Sequence, residues 1–194
     1  MKNSSTKEDI IFNADQLFYE QGYEKTSFAD IASKVNISKG NFYHHFKTKD
    51  DLLKAVIEYR LNNTEKMLMD WQIKGKTPTE RIQSFIKILI RNRKKIKLYG
   101  CPVGTLSSEL NKLEHSSKKE ANRLFDLFRD WLKVQFLELG HQEDADRLAM
   151  HILARSQGVA VLANAYQDET FVDYEVDLLV KWVDNLNNLT KVKV

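Results

Sequence analysis

Almost nothing in this chain interrupts a helix. Seven glycines and two prolines are spread over 194 residues, so long segments run on without the residues that make turns. No stretch alternates apolar and polar residues between hairpin signals, as a half-buried strand would. The expectation is therefore an all-α fold of about nine helices, with three short ones at the N-terminus and a larger helical body behind them.

The helix boundaries are legible from their caps. Ile10, Ile11, Ala14, Leu17 and Phe18 recur at helical spacing, and Gly22 stands where a left-handed residue would end that helix. Thr26 or Ser27 caps a second helix carrying Phe28, Ile31, Ala32 and Val35, with Asp30 three residues after Ser27. Ser38 caps a short third helix, KGNFYHHF. Thr48 and Asp51 form a capping box for a fourth helix, which is expected to run to about Trp71. Thr77-Pro78-Thr79-Glu80 is the clearest start of all, a cap with proline in the first turn. Four further helices are expected at roughly 103–112, 117–139, 142–166 and 171–189.

Three short helices with a tight turn before a serine-capped third one make a helix-turn-helix unit. Its charge distribution supports DNA. Between Ile31 and Lys49 stand Lys34, Lys39, Lys47 and Lys49 and no acid, although residues 1–60 hold nine basic and nine acidic groups. A positive field confined to one face is what phosphate binding requires. Thr26, Ser27, Tyr43, His44, Lys47 and Lys49 are the expected phosphate clamps, and Ser38, Lys39 and Asn41 the expected base readers. Gly40 removes a side chain where a nucleic-acid backbone would come close. Phe42 and Phe46 read as core. The competing reading is a solvated, lysine-decorated surface on an ordinary three-helix core.

Residues 10–58 closely resemble the DNA-binding head of the tetracycline-repressor (TetR) family. The resemblance lies in the frame LF…GY…TS…DIA…SKG..Y.HF..KD.LL and covers about a quarter of the chain. Val35-Asn36 stands where many members have Ala-Gly, and asparagine tolerates a left-handed backbone there. The resemblance implies a DNA-binding domain over 1–48 and a regulatory ligand-binding and dimerisation domain over 49–194. It implies a homodimer, paired through the last two helices, that binds a palindromic operator on double-stranded DNA as a repressor and is released by a small-molecule effector.

The run ADRLAMHILARSQGVAVLANAY is rich in small residues that let helices approach closely. Ser156, Val159, Leu162 and Ala163 on it, with Val176, Leu179, Val180 and Val183 on the last helix, are the expected interface; an internal helix pair is the alternative. A TetR-like body would enclose an apolar cavity among Met67, Trp71, Phe85, Leu89, Phe125, Phe128 and Trp131, each of which also reads as plain core. His151 either lines that pocket or is a hydrogen-bonded core histidine.

YGCPVGTLSSEL resembles a segment in one branch of the family, at the start of the sixth helix. A thiol at a helix N-terminus, near cationic groups, is a candidate for reaction with an electrophile or oxidant. Cys101 is thus either a sensor or a buried, inert thiol. The upstream run RNRKKIKLYG belongs to a stretch, 74–99, with nine basic groups and one acid. It reads as the solvated face of the fifth helix or as an anion-attracting patch.

Other function classes lack their motifs. There is no GxGxxG, P-loop, GxSxG or HExxH, and the five histidines have no ligand spacing with a cysteine. No enzyme activity, cofactor or metal is expected. An adaptor that keeps the fold but binds protein would be expected to lose Tyr43 or the lysines, and both are present. A single cysteine excludes an intrachain disulfide and points to the cytoplasm. The chain starts without a signal-peptide pattern, and no apolar run is long enough to span a membrane.

Overall fold

The structure is a computed structural model that describes residues 6–191. These residues form nine helices in chain order: α1 Thr6–Gln21, α2 Phe28–Val35, α3 Lys39–His45, α4 Lys49–Lys74, α5 Pro78–Tyr99, α6 Pro102–Lys112, α7 Lys118–Glu138, α8 Ala145–Ala165 and α9 Thr170–Lys191. The caps sit where the sequence places them. Ser27, Ser38 and Thr77 each accept the N–H three residues on. Thr48 and Asp51 satisfy each other's backbone N–H at 3.2 and 3.0 Å. Each cap satisfies donors that a helix end leaves open.

The contacts divide the chain into two compact units. One unit runs to Asn63 and takes in Pro102–Leu124; the other holds Thr64–Cys101 and Phe125 onward. The first unit is wider than a helix-turn-helix because α6 packs on α1, which packs on α2, and α2 on α3. Ile10, Phe18, Ile31, Phe42, Leu52 and Leu53 form its core. Arg60 on α4 ion-pairs with Asp15 on α1 and donates to the Pro102 carbonyl at the start of α6 at 2.7 Å.

In the second unit α5 packs against both α8 and α9, which also pack on each other. Ile82, Phe85, Ile86 and Leu89 are the buried residues on the inner side of α5. Gln135, fully buried, accepts from Arg81 at 3.2 Å and donates to Gln72 at 3.1 Å. Among the described residues no helix is long and apolar enough to cross a membrane.

The expected interface residues are placed as follows in the single chain. Ser156, Val159, Ala163, Val176, Leu179 and Val183 are buried within the single chain, and Val180 is half-buried. They lie where α8 and α9 pack on each other and on α5 as elements. Of the eight expected residues, Leu162 alone is exposed. Among the described residues, the large apolar side chains that α8 and α9 and their ends present to solvent are Met150, Val161, Leu162, Tyr166, Tyr174 and Leu178.

Candidate nucleic-acid interface

The interface is built on α2, a turn and α3. At the start of α2, Ser27 and Asp30 bond reciprocally: the Asp30 N–H donates to Ser27 Oγ at 3.2 Å and the Ser27 N–H to Asp30 Oδ2 at 2.8 Å. The Ser27 hydroxyl also donates to that carboxylate, and these bonds hold the Asp30 carboxyl below its usual range. The helix ends at Asn36, whose left-handed backbone (φ 58°, ψ 47°) makes the turn that glycine would otherwise make. Ser38 then starts α3.

One side of α3 is pinned from below. Phe42 is buried and packs on Phe28 with ring centroids 4.5 Å apart and on Phe46 at 6.4 Å. The opposite side is therefore turned outward, and Lys39, Gly40, Asn41, Tyr43 and His44, with Lys47 just beyond, are all exposed. A Cβ added at Gly40 would meet nothing nearer than Ser38 Oγ at 3.9 Å, so the fold itself does not call for glycine there. Ser27, Phe28, Ala29, Lys39, Phe42 and Tyr43 line a cleft of about 260 Å³ between α2 and α3 on this face. Ala29 was not singled out from the sequence; a small residue after a helix cap carries no signal of its own.

The acids of this region are taken up elsewhere. Asp30 serves Ser27 and Asp51 serves Thr48. Asp50 accepts from the Tyr23 hydroxyl at 2.8 Å, which, with His115 nearby, holds its carboxyl below the usual range. Burial and then that hydrogen bond push the Tyr23 hydroxyl far above its usual range. Lys34 pairs with Glu20 at 3.5 Å. Among the described residues no carboxylate pairs with Lys39 or Lys47.

Two of the expected phosphate clamps have partners within the chain. Thr26 is buried: its hydroxyl donates to the Gly22 carbonyl at 2.7 Å and accepts from Gln21 at 3.2 Å. It closes the α1–α2 turn. Lys49 is half-buried, donates to the Glu24 carbonyl at 2.9 Å and lies 4.4 Å over the Tyr23 ring. Burial lowers its pKa, against the pull of Glu109, Glu24 and Asp50. Its ammonium is engaged by the α1–α2 turn.

In the second unit the structure joins the expected ligand residues in pairs. Trp71 and Trp131 stand 5.8 Å apart and Phe85 and Phe128 5.3 Å apart. Leu89 is buried, and Met67 and Phe125 are half-buried. The sequence did not suggest Arg91, which lies 5.6 Å over the Trp71 ring. The Trp131 indole nitrogen is buried with no hydrogen-bond partner. His151 corrects both readings given to it: it is exposed and packs on Trp182 at 5.0 Å. The neighbouring Ile152 and Leu153 hold the inner face of α8 and leave position 151 outside. Cys101 is half-buried, directly before α6, and is in no disulfide. The basic run is partly neutralised, Arg93 by Glu169 at 3.8 Å and Asp173 at 3.7 Å, and Lys97 by Glu169 at 3.4 Å.

Two family models match the chain. Bacterial regulatory proteins of the tetR family match over residues 10–56, and the C-terminal domain of LmrA/YxaF-like transcriptional regulators over 78–174. An uncharacterized HTH-type transcriptional regulator in the lacX 3' region of Lactococcus lactis is 30% identical over 179 residues, covering 90% of this chain and 91% of the relative. The biofilm operon icaADBC HTH-type negative transcriptional regulator IcaR of Staphylococcus aureus is 28% identical, covering 62% of this chain and 69% of its own. The crystal structure of a TetR transcriptional regulator from Legionella pneumophila is similar with a TM-score of 0.83 and 30% identity, covering 95% of this chain and 98% of that one.

Proposed function

The chain belongs to the TetR family of transcriptional regulators, and we propose that it is a homodimeric repressor that holds a two-fold operator until a small effector releases it. The family regulates transcription and is not a family of enzymes. The observation that carries the proposal is the outward side of α3. Lys39, Asn41, Tyr43, His44 and Lys47 are presented together, and the nearby acids are held by other partners. Lys47, His44 and Tyr43 suit phosphates, and so does Ser27 beside the cleft. Lys39 suits guanine O6 or N7 and Asn41 suits adenine. Repression is supported by the likeness to a negative regulator.

A two-fold operator needs a two-fold protein, with recognition helices roughly 34–36 Å apart. The exposed apolar side chains of α8 and α9, not the stripe expected from the sequence, are the surface we assign to the second copy. The aromatic pairs of the second unit support an apolar effector in preference to an electrophile. A flat ring bearing an acceptor for the Trp131 indole nitrogen fits best. Preferential binding to the released state by a few kcal/mol empties the operator.

Selection of bound duplexes from a random pool tests this reading. It predicts enrichment of two related half-sites in inverted orientation. A pool that returns no enriched sequence overturns it.

A further inference from the structure

Glu109 on α6 makes contacts that the DNA face does not explain. Its Oε2 accepts the N–H of Tyr23 and its Oε1 the N–H of Glu24, each at 2.9 Å. These two amides lie in the turn between α1 and α2, just after Gly22 (φ 93°), and a Cβ added at Gly22 would come within 3.0 Å of the same carboxylate. A carboxylate accepting two backbone N–H groups makes a strong, directional grip.

A second arm runs in parallel. The Ser117 N–H donates to His115 Nδ1 at 3.0 Å, so Nε2 carries the proton. Nε2 faces Asp50 Oδ1 at 3.4 Å and the Tyr23 hydroxyl at 3.3 Å. The C-terminal end of α6 and the residues after it thus grip the α1–α2 turn and the start of α4 together. The gripped turn leads directly into Ser27, the cap of α2 and a wall of the cleft beside α3. Glu24, Thr105, Ser108, Glu109, Lys112 and Leu113 line an open cleft of about 350 Å³. Water there can solvate Glu109 when it lets go, which makes the grip reversible.

We infer that Glu109 is a positioning residue for operator binding: by accepting the Tyr23 and Glu24 N–H groups, its carboxylate fixes the α1–α2 turn that leads into Ser27 and the cleft beside α3. This rests on reading α3 as the DNA face.

The test uses the full chain and the duplex obtained by selection. Glu109→Gln keeps the size but offers one acceptor and one N–H₂ donor to two N–H groups. Its affinity should fall roughly tenfold or more, as loss of a hydrogen bond to a charged group implies. Tyr23→Phe, which breaks only the second arm, should lose less. A purely structural role would also weaken binding, so hydrogen exchange with and without duplex is the deciding readout. Coupling between two regions is reciprocal. In the wild type, DNA should therefore slow exchange at the Tyr23 and Glu24 amides and across 106–116, and in Glu109→Gln this protection should vanish while the Phe42 region stays protected. Wild-type affinity with no DNA-induced protection of α6 overturns the inference, even if the variant does not fold. So does a Glu109→Gln protein that binds like the wild type. Failure of the wild type to bind any duplex would instead overturn the DNA reading itself.

Discussion

The lysines of 31–49 and the basic run of 91–97 look alike along the chain, since neither stretch contains an acid. The fold treats them differently. Arg93 and Lys97 meet Glu169 and Asp173, which α9 and the residue before it bring from far along the sequence. Arg91 lies on the Trp71 ring. Lys39 and Lys47 meet no such partner, because Asp30, Asp50 and Asp51 are held by Ser27, Tyr23 and Thr48. Local charge is therefore a poor guide to a binding face. What marks the face is that its neighbouring acids are already occupied.

The largest expected effect comes from reversing that face. Lys39→Glu with Lys47→Glu should weaken operator binding by about a thousandfold, since like charges brought together cost several kcal/mol. Lys94→Glu, on the exposed part of the other run, should leave binding nearly unchanged. Equal losses in a gel-shift titration would erase the distinction between the two stretches. Next in size is Asn41→Ala. It should change which base is preferred at one position of each half-site, by about 1–3 kcal/mol. Lys47→Ala should weaken all sequences alike, and identical behaviour of the two variants would show that reader and clamp are wrongly divided.

Glu169→Gln should act on stability and not on DNA. It removes the partner of Lys97 and one partner of Arg93, all only partly exposed, and should cost about 1 kcal/mol or less in a denaturant titration. No loss would mean that the second run is merely solvated. The smallest effect concerns Asp50. Its folded-state pKa is lowered, first by the Tyr23 hydroxyl, so its ionised form stabilises the head above the ordinary carboxylate range near about pH 4. That contribution is lost as the pH falls through the lowered value. The stability gap between wild type and Asp50→Asn should therefore close on acidification from pH 7 to below 3. A gap that stays constant would show that Asp50 is not tied into the fold in this way.

What could be read from the sequence was local. Caps three residues long placed the starts of α2, α3, α4 and α5, and Asn36 proved able to make the turn. Long-range partners could not be read. Lys49 carries the same signal as Lys47, but the carbonyl it serves is 25 positions away, and the amides held by Glu109 are 86 and 85 away. The small-residue run of α8 offers two apolar stripes, one through Ser156 and Ala163 and one through Val161 and Leu162. Periodicity cannot say which one will be buried within the chain. His151 was misplaced for the same reason, since it stands one position before the buried Ile152.

The salt dependence of affinity for the selected duplex tests the central claim most directly. Each neutralised phosphate adds about −0.9 to the slope of log K against log salt. The wild type should show a steep negative slope, and Lys47→Ala should reduce its magnitude by about one while Lys94→Ala leaves it unchanged. A flat line for the wild type, or an equal change in both variants, would contradict the assignment of α3 as the surface that meets DNA.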